Sequence, residues 1–71
     1  MVNLKRLKML RAFHGLSQEQ LESKADLDYR TYSNKERGRV KFGLLDVFKI
    51  AKFYNLSLTE VNEIFFNGEL K

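Results

Sequence analysis

The stretch from Gly15 to Gly38, GLSQEQLESKADLDYRTYSNKERG, constrains this chain most, because it spells out two short helices, each with its own start and stop, a few residues apart. Ser17 and Gln20 form a Ser-x-x-Gln capping box, in which each side chain satisfies the other residue's free main-chain N–H. Leu21 and Ala25, four residues apart, then fall on one inner face. Asp26 and Leu27 make the turn. Asp28 is placed to cap a second helix, Tyr29 to Arg37, which ends at Gly38, a residue free to take the left-handed conformation that closes helices.

The flanks carry helical spacing too. Leu4, Leu7, Leu10 and His14 recur at three and four residues, which predicts a helix from Val2 to His14 with Lys5, Arg6 and Lys8 outward and Gly15 as its stop. Beyond a connector, Arg39 to Gly43, the residues Leu44, Val47, Phe48, Ile50 and Ala51 predict a fourth helix with a broad apolar face, stopped by Asn55 in the left-handed region. Ser57-Leu-Thr-Glu60 is a second capping box and opens a fifth helix through Val61, Ile64 and Phe65 that frays near Asn67 and Gly68. With no proline and no strand-like alternation, the expectation is all-α and five helices. Linkers, repeats and low-complexity tracts are absent, so residues 1–71 read as one domain whose two-helix motif spans about 17–37. A chain this short buries roughly 60% of its unfolded surface, so it is marginally stable unless it dimerises. No second domain is left to bind an effector, and regulation would have to come through concentration, dimerisation or a separate partner.

Composition removes several function classes. Without cysteine and with one histidine, a disulfide scaffold, a thiolate nucleophile and a Cys/His zinc site are excluded, and no cofactor or metal is expected. There is no nucleophile–base–orienter set, no suggestive pair of acids and no phosphate-binding glycine loop, so the chain does not read as an enzyme and no small-molecule substrate is expected. Neither a secretory signal nor a membrane span of roughly 20 apolar residues is visible, and the expectation is a soluble protein of the bacterial cytoplasm or nucleoid, away from membranes. Thirteen Lys and Arg against nine Asp and Glu give a formal charge of +4 and a pI near 9.6, which favours anionic partners. The excess is local: Arg30, Lys35, Arg37, Arg39 and Lys41 face only Glu36 between Tyr29 and Phe42, whereas Glu60, Glu63 and Glu69 dominate the C-terminal part.

In its residues the chain resembles the lambda-repressor-like, or XRE-type, helix-turn-helix family that includes small phage repressors and Cro-type proteins. The likeness runs from Leu7-Lys8-x-Leu10-Arg11 through Gly15-Leu16-Ser17-Gln18-Glu19-Gln20-Leu21 to Glu36-Arg37-Gly38, and resumes at Phe48-Lys49-Ile50-Ala51 and Leu56-Ser57-Leu58. Tyr32-Ser33-Asn34-Lys35-Glu36, Phe42 and Glu63-Ile64-Phe65-Phe66 resemble a subset from phages and mobile elements. The resemblance implies a compact five-helix lambda-repressor-like fold with the DNA-reading motif at helices two and three. Three positions depart from the pattern: Glu22 stands in place of a small alanine, Asp26 in place of the turn glycine, and Lys35 in place of an inward aliphatic residue, its stem over the core and its amine reaching out.

The second motif helix offers the chemistry that reads bases. Arg30 can donate a bidentate pair to guanine O6 and N7, and Asn34 can pair with adenine N6 and N7 in the major groove; each good pair discriminates by about 1–3 kcal/mol. Ser33 and Tyr29 complete the proposed base-reading set. Ser17, Gln18, Arg37, Arg39 and Lys41 are expected on phosphates, setting affinity and register rather than sequence choice. The resemblance implies an ion pair between Arg11 and Glu36 that ties the first helix to the end of the reading helix; Tyr32, on the inner side of that helix, belongs to the core. Leu58, Val61, Phe65 and Phe66 in the last helix (about 58–66) either finish the core or cover a second copy. A homodimer would set two reading helices about 34–36 Å apart, on a palindromic operator. The expected partner is therefore double-stranded operator DNA, and the expected function is sequence-specific transcriptional regulation as a phage-type repressor or Cro-like switch, with a protein antirepressor as a possible modulator. The alternative is a protein-interaction module on the same fold, an antirepressor or antitoxin-like partner.

Overall fold

The computed structural model describes residues 2–69 and contains five α-helices in chain order. They are α1 (Leu4–Phe13), α2 (Gln18–Lys24), α3 (Tyr32–Glu36), α4 (Leu44–Tyr54) and α5 (Leu58–Phe65), and no strand occurs among the described residues. Helix α1 packs on α3 and α5, α2 on α3, and α4 on α5. Leu7, Leu21, Tyr32, Ile50 and Ile64 meet in the middle, essentially without solvent contact.

Most of the helix ends obey one local rule. The stops after α1, α2, α3 and α4 each contain a residue in the left-handed region: Gly15 (φ 68°), Asp26 (φ 57°), Gly38 (φ 83°) and Asn55 (φ 55°). The residue after each donates its N–H five positions back, from Leu16 to Arg11 O (3.1 Å), Leu27 to Glu22 O (2.8 Å), Arg39 to Asn34 O (2.8 Å) and Leu56 to Ala51 O (2.9 Å). These Schellman-type closures satisfy carbonyls that a helix end otherwise leaves bare. In three of the four, the residue after the left-handed one is leucine, which folds back onto the core. Gly38 is fixed by space as well as by φ, since a Cβ there would lie 3.0 Å from Leu4 Cδ1. The starts of α2 and α5 are the expected capping boxes at Ser17/Gln20 and Ser57/Glu60.

Four expectations are corrected. Helix α1 begins at Leu4 rather than Val2, because Asn3 accepts from Arg6 N (3.0 Å) as a side-chain cap. The apolar face of α4 is narrower than expected: Ile50 is buried, but Phe48 is 61% and Leu44 80% exposed. At roughly 100° per residue, those two lie about 160° and 120° around the helix from Ile50. Phe65, expected at the dimer surface, is 5% exposed and stacks edge-on against Phe42 (5.8 Å), which in turn meets Tyr32. Finally, the Lys35 amine does not reach out to water but pairs with Asp46 (2.8 Å) in a partly buried contact that ties α3 to α4.

Candidate nucleic-acid interface

The reading helix is shorter than its sequence suggests. Asp28 does cap a turn: its carboxylate accepts from Arg30 N (2.9 Å) and its carbonyl from Tyr32 N (2.9 Å). Thr31, β-branched and at φ −120°, then departs from helical geometry, and the regular ladder begins only at Tyr32. Tyr29 and Arg30 therefore sit on a capped turn ahead of α3, with Ser33 and Asn34 inside it. The Asn34 carbonyl is occupied by Arg39 N and Val40 N, but this leaves its side chain uncommitted to that closure.

Beneath these residues lies one buried carboxylate. Glu36, with 0% exposure, receives four hydrogen bonds: Arg11 Nη2 to Oε1 (2.8 Å), Arg11 Nε to Oε2 (3.2 Å), Gln18 Nε2 to Oε1 (3.1 Å) and Tyr32 Oη to Oε2 (2.8 Å). A buried carboxylate needs this many donors. Burial alone would push its pKa up; the bonds from Arg11, Gln18 and Tyr32 outweigh burial and hold it below the ordinary carboxylate value. The bond to Glu36 correspondingly raises Arg11, and burial followed by the same contact raises Tyr32. Arg11 Nη1 also donates to Leu16 O (2.9 Å), so one guanidinium links α1, the turn before α2 and the last residue of α3. The reading turn thus rests on a network whose four side chains come from α1, α2 and α3.

The surface above it is a notch of about 700 Å³ lined by Gln18, Tyr29 and Ser33 with residues of α2 and the following turn. Arg30 is not part of that lining; it lies 5.9 Å over the Tyr29 ring and 3.2 Å from the Asp28 carboxylate, with its side chain largely in solvent. An ion pair so exposed is weak, and a competing acceptor can draw Arg30 away. Ser17 caps α2 beside Gln18. Arg37, Arg39 and Lys41 are exposed on the turn and connector after α3 but do not line the notch. Gln18, expected on a phosphate, already donates one amide hydrogen to Glu36, which fixes its direction and leaves the other hydrogen available.

Sequence reasoning missed the acidic rim. Glu19, Glu22 and Asp26 all line the notch, and Glu22 is 7% exposed. Burial, then the charges of Glu19, Glu36 and Asp28, raises the Glu22 pKa. The signal was present in the sequence as four acids between Glu19 and Asp28 against Lys24 alone, a reversal of the basic trend that follows.

Comparison with known proteins matches residues 7–61 to the family described as helix-turn-helix, which spans the notch, the Glu36 network and α4. The chain belongs to the XRE-type helix-turn-helix family. An uncharacterized HTH-type transcriptional regulator of Methanocaldococcus jannaschii is 36% identical over 56 residues, covering 79% of this chain and 85% of that protein. No solved structure matches. The described residues of this XRE-type domain form the five helices, without strands, expected from its sequence. Among the described residues, no helix is long and apolar enough to cross a membrane.

Proposed function

We propose that this XRE-type protein is a sequence-specific, double-stranded DNA-binding transcriptional regulator, of phage-repressor or Cro-like type, that occupies an operator in the cytoplasm. The observation that carries this reading is the pairing of an exposed Arg30, stacked near Tyr29 on a capped turn, with Ser33 and Asn34 immediately inside α3, all seated on the Glu36 network. In the major groove Arg30 exchanges its weak bond to Asp28 for guanine O6 and N7, Asn34 takes adenine, and Tyr29 and Ser33 complete the contact. Ser17, Gln18, Arg37, Arg39 and Lys41 hold phosphates and set the register.

A palindromic operator follows if two copies bind together. Leu58, 78% exposed in the first turn of α5, and the partly exposed Val61 and Phe66 supply apolar surface for a homodimer, without Phe65. Selection of duplexes from a randomised pool tests the roles: Arg30→Ala should flatten base preference at one position of each half-site, and Lys41→Ala should weaken all sequences about equally. The reverse pattern would overturn the assignments.

A further inference from the structure

A second concave surface adjoins the notch at Asp26, in the turn between α2 and α3. It is a groove of about 480 Å³ with Ala25, Phe48 and Phe53 as its apolar lining and Lys24, Lys49, Lys52 and Asp26 as its polar residues, three cations to one carboxylate. Phe48 is largely exposed, and Lys52 Nζ hangs 6.0 Å from its ring. Lys49 is engaged with Asp26, donating to its carbonyl (2.7 Å) and lying 3.6 Å from its carboxylate. Among the described residues, Lys24 and Lys52 have no carboxylate partner. An aromatic floor beneath two unpaired cations wants an occupant that is apolar in the middle and acidic at its edges.

We propose that this groove docks a segment of another protein, an aromatic or leucine anchor flanked by carboxylates. The anchor covers Phe48 against Ala25 and Phe53, and the carboxylates meet Lys24 and Lys52. Duplex DNA fits the charge but not the floor, since phosphates would leave the Phe48 ring in water. The α5 face of a second copy fits poorly because both acids of that helix are already used: Glu60 closes the capping box at Ser57 N (3.0 Å) and Glu63 pairs with Arg6 (3.0 Å). None of the proposed base-reading residues lines the groove, which shares only Asp26 with the notch, so the partner leaves those residues free for DNA.

The test is an NMR and fluorescence-anisotropy titration of the full chain with a short labelled peptide bearing a Phe-Leu pair flanked by Asp and Glu. Saturable binding with amide shifts at Ala25, Phe48 and Lys52 is expected, with or without duplex DNA. Lys52→Glu should weaken the peptide by up to about fivefold, and a peptide with lysines at its edges should regain that loss on the variant. Phe48→Ser should weaken it by about tenfold while circular dichroism and melting stay unchanged, because the ring is exposed in the free protein. The proposal is overturned by no saturable binding, by shifts centred on Arg30 and Arg37, or by equal affinity for an uncharged peptide. It also fails if Lys52→Glu weakens duplex DNA as much as peptide, which marks a nucleic-acid site. Self-association that Phe48→Ser abolishes would instead mark a site for a second copy.

Discussion

Replacing Arg11 by alanine removes one member of a pair whose other member, Glu36, has no access to water. Breaking a buried pair this way costs about 3–5 kcal/mol, and the donor lost to Leu16 O adds about 1 kcal/mol. Gln18 and Tyr32 still donate to Glu36, which keeps the expected total near the lower figure, about 3–4 kcal/mol. At about 0.05–0.15 kcal/mol per residue, a chain of this size holds about 4–11 kcal/mol in all, so a loss of about 3–4 kcal/mol leaves the variant about two thirds of its stability at the upper end and almost none at the lower. In urea, with a slope of about 1 kcal/mol per molar, the unfolding midpoint should fall by about 3 M. The pH dependence is more telling. In the native protein the folded Glu36 pKa lies below its unfolded value, so its contribution is present above the unfolded carboxylate pKa and is lost as pH falls through the folded one. In Arg11→Ala, burial is no longer opposed by the guanidinium, and the folded pKa moves above the unfolded value. The ionised carboxylate then penalises the fold at pH 7, and acid relieves it. The deficit relative to the native protein should therefore be largest near pH 7 and shrink toward pH 4. A deficit below about 1 kcal/mol at pH 7, or one that stays constant between pH 7 and pH 4, would refute the assignment of Glu36 as a buried anion held by Arg11.

Asp26 occupies the left-handed region that glycine enters without steric cost, so Asp26→Gly should stabilise by about 0.5–1 kcal/mol, visible as a melting temperature several degrees higher. A lower melting temperature would show that the Lys49 contact to the Asp26 carboxylate outweighs the strain. Phe65→Ala should cost about 3–5 kcal/mol of monomer stability, whereas Leu58→Ala should change it by under about 0.5 kcal/mol and raise the dimer dissociation constant in sedimentation. Equal effects of the two on unfolding would remove Leu58 from the proposed interface.

The local parts of this fold were legible in the sequence and the global parts were not, for a physical reason. A helix stop depends on one residue's φ and its neighbour's N–H, so Gly15, Gly38 and Asn55 announce themselves, as do the capping boxes at Ser17 and Ser57. The rotation of α4 depends on what packs against it, and the sequence offers Leu44, Val47, Phe48, Ile50 and Ala51 without saying which turns inward. Phe65 and Leu58 pose the same ambiguity on α5, settled by the Phe42 ring that one of them meets. In the candidate site, the residue types came from the sequence, but the delayed start of α3 followed from the backbone of Thr31. The bond from Gln18 to Glu36 and the burial of Glu22 join residues distant in sequence or set by packing, where spacing carries no signal.

The most direct test of the DNA-reading claim is fluorescence anisotropy of the protein against duplexes tiling the DNA upstream of its own coding sequence, with scrambled duplexes as competitors at near-physiological salt. Binding to one duplex about a thousandfold tighter than to scrambled DNA, lost in Arg30→Ala, is the predicted result. Weak binding that falls steeply with salt and is equal for every duplex, including those selected from a randomised pool, would contradict it.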